Sequence, residues 1–330
     1  MTPSTISVAL CTYNGARFIE QQLRSILAQG DLISEIVIAD DGSTDATLDI
    51  VRRIAAESTD AGVAIEFRLL TEGGGHGVTK NFERAVIACR SDFIALSDQD
   101  DIWHPSRLRR LVEQFEQRPN LLFLHTDARL VDENGNPLGH QLLHTLEVGA
   151  EDSRAIHGGD AFWVFLRRNL ATGATSMFRR SLLESALPFS EDWVHDEWLA
   201  IIAAAVGELD FLPEPLIDYR QHGANQIGVR TPTLAVKVRR VLEPRGARNR
   251  ELALRSASLL ARLVLLGPLV APNKLAAARN KVQLETFRAG LPRHRIKRIL
   301  PVFHKARTGQ YVQFASQGRL DIIRDLLQPF

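Results

Sequence analysis

From Ile6 onward, short apolar runs alternate with stretches whose apolar residues recur every three or four positions. The run Ile6-Ser7-Val8-Ala9-Leu10-Cys11 reads as a buried strand and is closed by the turn signal Thr12-Tyr13-Asn14-Gly15. Residues 20–29 then read as a helix, with Ile19, Leu23, Ile26 and Leu27 on one face. Residues 35–39 form a second strand, ended by Asp40-Asp41-Gly42-Ser43. Thr44 or Asp45 can cap a second helix, whose stripe is Leu48, Val51, Ile54 and Ala55. A third strand over 65–70 leads through a mobile glycine loop, 73–77, into a helix over 78–89, and Phe93-Ile94-Ala95-Leu96 is a fourth strand. This alternation predicts an α/β fold with a Rossmann-like, mainly parallel sheet covered by helices on both faces. In such sheets ligands bind beyond the carboxyl ends of the strands. Cys11-Thr12-Tyr13-Asn14, Asp40-Asp41 and Asp98-Gln99-Asp100 all fall at such ends and should share one crevice.

The stretch Ser97-Asp98-Gln99-Asp100-Asp101-Ile102-Trp103 places three carboxylates where an apolar run stops. Buried without compensation such a cluster is costly; a cation or strong donors must neutralise it, unless it is a solvated acidic turn. Asp98 and Asp100 can turn towards one point beyond the sheet edge, and hard oxygen ligands facing phosphates suit Mg²⁺ or Mn²⁺. The sequence contains no G-x-x-x-x-G-K-[ST] and no G-x-G-x-x-G after the first strand. A pyrophosphate therefore needs another source of positive charge, which a metal on the aspartates would supply.

Further along, residues 121–127 resemble a strand and Asp132-Glu133-Asn134-Gly135-Asn136-Pro137 a turn. Residues 138–168 form a variable-looking segment rich in His, Gly and Trp, where His140, His144 and His157 lack metal-ligand spacing and read as surface histidines. His195-Asp196-Glu197-Trp198 precedes a strongly apolar helix over 199–206. Its two adjacent acids are either helix N-terminal partners or catalytic groups.

Composition divides the chain. Its 330 residues are 45% apolar and 24% charged, as in ordinary soluble proteins. With only Cys11 and Cys89 there is no disulfide framework, and Met1-Thr2-Pro3-Ser4-Thr5 does not resemble a signal peptide, so a cytoplasmic location is the default. Residues 1–229 hold 19 basic and 34 acidic side chains, net −15, while residues 230–330 hold 21 and 5, net +16. A boundary falls near Arg230-Thr231-Pro232. Residues 252–270 are apolar but broken by Arg262 and Gly267-Pro268, short of the ~20 residues a spanning helix needs. Arg293-His294-Arg295-Ile296-Lys297-Arg298-Ile299-Leu300 is basic with an apolar side, and Leu320, Ile323 and Leu327 repeat helically. The basic region is either a docked helical appendage or an interfacial contact for an anionic membrane, which would make the protein peripheral on the inner face of the cell membrane. Its few aromatic residues weigh against nucleic acid.

Seven ordered segments resemble glycosyltransferase family 2 of the GT-A fold: Ser7-Val8-Ala9-Leu10-Cys11-Thr12-Tyr13-Asn14-Gly15, Ile38-Ala39-Asp40-Asp41-Gly42-Ser43-Thr44-Asp45, Gly77-Val78-Thr79-Lys80-Asn81-Phe82, Ala95-Leu96-Ser97-Asp98-Gln99-Asp100-Asp101-Ile102-Trp103, Thr172-Gly173-Ala174, His195-Asp196-Glu197-Trp198 and Tyr219-Arg220-Gln221-His222-Gly223-Ala224-Asn225. The similarity covers about residues 5 to 228 and is greatest to bacterial rhamnosyltransferase-like enzymes of surface-polysaccharide synthesis. It implies a GT-A catalytic domain over 1–229, with a nucleotide-sugar half over about 1–120 and an acceptor half over about 121–229, followed by a basic helical region over 230–330. It implies Tyr13 against the nucleobase, flanked by Thr12 and Asn14, and Asp41 with Asp40 as hydrogen-bond partners of a uracil or thymine. Lys80 and Asn81 are implied as base or phosphate contacts, and Asp98 as a group near the ribose. Asp100 is the implied metal ligand, completed by His222, with Asp98 and Asp101 auxiliary and Mn²⁺ or Mg²⁺ as the ion. Asp196 is the implied general base, although many relatives carry an acid where this chain has His195. The implied partners are a dTDP- or UDP-sugar donor and a glycan or polyprenyl-linked acceptor. A sugar nucleotidyltransferase and a non-catalytic sugar-binding module remain as alternatives.

Overall fold

The structure, a computed structural model, describes residues 5–223, 244 and 247–329. It separates into two compact units, Met1–Gly159 with Leu170–Val229, and Asp160–Asn169 with Arg230–Phe330. The expected boundary at Arg230-Thr231-Pro232 lies outside the described residues, as do Ala224 and Asn225.

The first unit is an α/β sandwich. Its strands are β1 (Ile6–Thr12), β2 (Ile33–Asp40), β3 (Glu66–Leu70), β4 (Phe93–Ser97), β5 (Ile102–Trp103), β6 (Leu121–Val131), β7 (Pro137–Gln141), β8 (Ser176–Arg179) and β9 (Glu208–Arg220). Among the described residues they form one sheet in the order β3-β2-β1-β4-β8-β6-β9-β5, with β7 paired to β6. The block β3-β2-β1-β4 is parallel throughout, β6 and β9 are also parallel, and the short β5, β7 and β8 run antiparallel to their neighbours. The expected mainly parallel α/β architecture is therefore the one observed.

Strand periodicity explains the layers. Ile6, Val8 and Leu10 join a core with Ile19, Leu23 and Ile26 of α1 (Ile19–Leu27) and Val51 and Ile54 of α2 (Thr47–Asp60). Helix α3 (Val78–Ala88) packs on β1 and β2 through buried Phe82, Ala85 and Val86. Helix α4 (Arg107–Gln117) adds Leu108, Leu111 and Phe115 to the core, and α5 (His195–Val206) is buried along nearly its whole length against β6 and β9. At α2 the first-turn cap comes from Asp45, whose carboxylate accepts the Thr47 backbone N–H at 3.0 Å.

The second unit is helical: α6 (Arg248–Leu266), α7 (Pro272–Ala289), α8 (Arg295–Arg307) and α9 (Arg319–Leu327), joined by the short helices Ala161–Arg167 and Gln310–Phe314. Sequence reasoning counted the apolar part of α6 as too short to span a bilayer. The helix begins earlier, at Arg248, and continues through a 3-10 turn to Leu269, so by length and composition alone it is long enough to cross a membrane. Here it packs against α7. Arg298, expected on a basic surface, is instead buried, and its guanidinium donates to the carbonyls of Pro292, Arg293, Asp325 and Gln328 at 2.6–3.2 Å. Five N–H donors on a planar fork let one arginine collect several carbonyls, which lysine cannot do.

Candidate active site

Register assembles the site. Thr12 pairs with Asp40 across β1 and β2, and Leu10 pairs with Ser97 across β1 and β4, so all three strands end at one edge. The Thr12 hydroxyl donates to Asp40 at 2.7 Å. Asp40 also accepts the backbone N–H groups of Gly42 and Ser43 and the Ser43 hydroxyl, at 2.6–3.0 Å. Its buried carboxylate thereby braces the turn that presents Asp41. Asn14 takes a left-handed conformation (φ 48°), donates its backbone N–H to Ser43 Oγ and accepts from Thr44 N–H, both at 2.8 Å.

Two residues past Ser97, Gln99 reaches across to the β1 loop. Its amide accepts from Tyr13 N–H at 2.9 Å and donates to Tyr13 C=O at 3.0 Å. This double bond pattern holds the Tyr13 backbone while its side chain stays about half exposed. The clamp also accounts for Gly15, where a Cβ would lie 2.2 Å from Gln99 Oε1.

The acids gather beside this clamp. Asp100 Oδ2 and His222 Nε2 are 2.7 Å apart. Asp101 is almost fully buried, not a helix-cap charge, and its Oδ1 accepts the Arg220 backbone N–H at 3.0 Å. Among the described residues its buried Oδ2 has no protein partner. Burial, reinforced by Asp100 and Asp98, pushes the Asp101 carboxyl well up. Burial, then Asp100 and Asp196, pushes Asp98 up to about 8. This uncompensated negative charge is what a divalent cation would relieve. Among the described residues no three His, Cys, Asp or Glu side chains converge as a complete cation cage. Asp100 and His222 would offer two ligands, a set that fits a hard ion completed by phosphate oxygens and water.

Asp196 enters from the first turn of α5, where Oδ1 accepts Glu197 N–H at 2.7 Å and Oδ2 accepts Gly173 N–H at 2.8 Å. Those bonds orient the carboxylate, and its influence on Asp98 puts both acids in one field. His195, beside it, is buried and stacks on Phe82 with centroids 3.9 Å apart. Gly173 is needed here, because a Cβ would come within 2.8 Å of His195 Nε2.

The remaining expected contacts lie around the second strand end. Asp41 accepts the N–H groups of His76 and Gly77 at 2.8 and 3.0 Å and so ties down the glycine loop. Asn81 is buried, donating to Ala39 C=O at 2.7 Å, and Lys80 pairs with Glu83 at 2.9 Å. Sequence reasoning missed Arg220 as a keystone. Its guanidinium donates to Asp100 C=O, Glu133 C=O and Gln21 Oε1 at 2.7–2.9 Å, and it stacks on Phe18. The available signal was a buried-strand arginine, Tyr219-Arg220, two residues before His222.

The sequence profile described as Glycosyl transferase family 2 matches residues 7–187, more than half of the chain, from the second residue of β1 through β4 and the acidic strand ends. The chain belongs to glycosyl transferase family 2. An uncharacterized glycosyltransferase of Nostoc sp. is 28% identical over 224 residues, 67% of this chain and 66% of its own length. The dTDP-rhamnosyl transferase RfbG of Shigella flexneri is 36% identical over 107 residues, 32% of this chain and 36% of that protein. The chain thus spans about two thirds of one relative's length and about a third of the other's. Among solved structures, Staphylococcus aureus TarS 1-349 in complex with UDP-GlcNAc has a TM-score of 0.53 at 16% identity, covering 98% of this chain and 90% of that one. The mannosyltransferase PcManGT of Pyrobaculum calidifontis, in complex with GDP-Man and Mn²⁺, has a TM-score of 0.52 at 18% identity, covering 98% and 88%. At these identities the fold alone is what is shared.

Proposed function

We propose that this chain is an inverting glycosyltransferase that moves a sugar from a nucleoside-diphosphate donor to a glycan or polyprenyl-linked acceptor in surface-polysaccharide synthesis. The observation that carries the reading is the convergence of Asp98, Asp100, His222 and Asp196 on one crevice at the strand ends, with Asp98 pushed up to about 8 by burial, Asp100 and Asp196. Rhamnose from a dTDP-sugar is our preferred donor, supported by the Shigella relative. Tyr13 and Asp41 face the nucleotide in this reading, with Lys80 near its phosphates, while Thr12, expected beside Tyr13, is buried on Asp40 and with Asp40 and Asn81 braces the loops around it.

Asp196 takes the proton of an acceptor hydroxyl as that oxygen attacks the anomeric carbon. The bond from that carbon to the diphosphate oxygen breaks on the opposite face, leaving an inverted glycoside and a nucleoside diphosphate. Gly173 N–H and Glu197 N–H each hold one Asp196 oxygen and so fix the carboxylate's orientation, and a second lone pair of either oxygen takes the proton in this reading. Arg220 and Gln99 hold the loops that carry Asp100 and Tyr13 in register. A divalent ion held by Asp100 and His222 would supply Lewis-acid charge to the departing diphosphate.

The test is a donor screen with dTDP-rhamnose, UDP-sugars and GDP-mannose, with and without Mn²⁺, reading free nucleoside diphosphate. Metal-stimulated release from one donor, lost in Asp100→Asn, is the expected result. Formation of sugar nucleotide from a nucleoside triphosphate would assign a nucleotidyltransferase, and donor binding without turnover would assign a binding module.

A further inference from the structure

The helical unit carries its acids inside. Of the four acidic residues in the described stretch 247–329, Glu285, Asp321 and Asp325 are buried and ion-paired with Arg288 at 2.9–3.1 Å, and Glu251 is exposed. The same stretch holds sixteen Lys and Arg residues. Its outer surface is therefore basic with almost no opposing charge, more so than the sequence charge alone states.

Two helices of that unit also turn apolar strips outward. On α8, Ile296 is 82% exposed, Leu300 80%, Phe303 61% and Ile299 52%. At the helical period these four fall within an arc of about 100°. Arg295 borders that arc on one side, and Lys297 and His304 border it on the other, while Arg298 and Val302 face the protein interior. On α9, which packs against α8, Leu320, Ile323 and Leu327 are each about half exposed on the side away from the buried Asp321 and Asp325. In a soluble helix such residues face the core. Here the core-facing positions of both helices are taken by the Arg288 and Arg298 networks, and the apolar residues are left outside.

We propose that α8 and α9 form a docking face for an anionic lipid bilayer. An exposed apolar strip bordered by basic residues is the pattern of a helix lying in the interfacial plane. Apolar side chains enter the headgroup boundary while Arg295 and Lys297 meet anionic headgroups. Sequestering Asp321 and Asp325 around Arg288 removes the charges that would oppose this contact. The proposal does not depend on which sugar the crevice takes, because donor chemistry involves none of these residues.

Vesicle flotation tests it, with the full chain and liposomes of phosphatidylcholine alone or with phosphatidylglycerol. The chain should float with anionic vesicles and not with neutral ones, and 0.5 M NaCl should weaken the attachment. Arg295→Glu/Lys297→Glu should weaken it by about 30-fold or more. Ile296→Ser/Leu300→Ser should abolish flotation with both charges retained. These positions are exposed, so both variants should keep the wild-type melting temperature and unchanged hydrolysis of donor. Equal flotation with neutral and anionic vesicles, or variants that float like wild type, would overturn the proposal. So would a wild-type dimer that Ile296→Ser/Leu300→Ser converts to monomer without any vesicle binding, because the strip would then belong to a second copy of the chain.

Discussion

The molecule holds two clusters of buried acids that solve the same electrostatic problem in opposite ways. In the helical unit, Arg288 reaches Glu285, Asp321 and Asp325 at 2.9–3.1 Å, Lys281 adds a 2.7 Å contact to Glu285, and Tyr311 donates to Asp325 at 2.7 Å. Burial works upward on Asp321, but Arg288 and the Gln317 N–H outweigh it and hold the carboxyl below its usual range. In the crevice the guanidinium of Arg220 donates to the carbonyls of Asp100 and Glu133 and to Gln21 Oε1, and the charge of buried Arg107 pulls Asp101 down by less than burial and its neighbouring carboxylates push it up. Asp98 and Asp101 are left raised, and Asp101 keeps a buried oxygen without a protein partner among the described residues. An acid cluster that carries its own cations is architecture. One whose carboxyls stay raised by burial and by each other is placed to receive a cationic ligand.

The comparison breaks first if the crevice acids prove structural. Asp196→Asn keeps the shape and the bond from Gly173 and removes the proton acceptor, so transfer should fall by about 10²–10⁴-fold with donor affinity retained. Steady-state kinetics with the screened donor reads this, and loss of donor affinity at unchanged turnover would make Asp196 a binding group. The converse variant, Arg288→Met, should strip three buried carboxylates of their shared guanidinium and cost about 3–5 kcal/mol of stability in denaturant unfolding. Without Arg288 those acids would bind protons more tightly folded than unfolded, so the variant's deficit should shrink as pH falls.

A smaller effect sharpens the contrast. Asp98→Asn replaces a carboxyl whose ionisation burial and two neighbouring carboxylates disfavour, so stability at pH 7 should hold or rise by about 1 kcal/mol. A loss comparable to that of Arg288→Met would mean that Asp98 is paired as tightly as the helical acids. The smallest effect concerns the Gln99 clamp. Gly15→Ala forces a Cβ against Gln99 and should raise donor KM by about 10-fold, and Gln99→Ala should do the same by freeing Tyr13. If one clamp underlies both, the double variant should be no worse than the poorer single one, whereas additive losses would separate the two residues.

Much of the first unit was legible in the chain itself. Strand and helix periods are local, so β1 to β4 and α1 to α3 fell close to where the apolar pattern put them, and acids at strand ends marked the crevice because parallel strands end together. The seven ordered segments reached the family for the same reason, since each is a short run of adjacent residues. Asp100 and His222 were named from separate motifs, and the structure brings them to 2.7 Å. What the chain could not state alone was which polar groups are already committed. Asp40 and Asn81 look like ligand contacts in sequence and turn out to brace the β2 end, because their partners lie 28 and 42 residues away. Arg298 looks like a surface charge and is buried among carbonyls, while its neighbour Leu300 looks like core and is 80% exposed. Local pattern determined the elements and the inventory of acids. Only tertiary packing decided which acids met a cation and which apolar faces stayed outside, because pairing and burial depend on residues far apart in the chain.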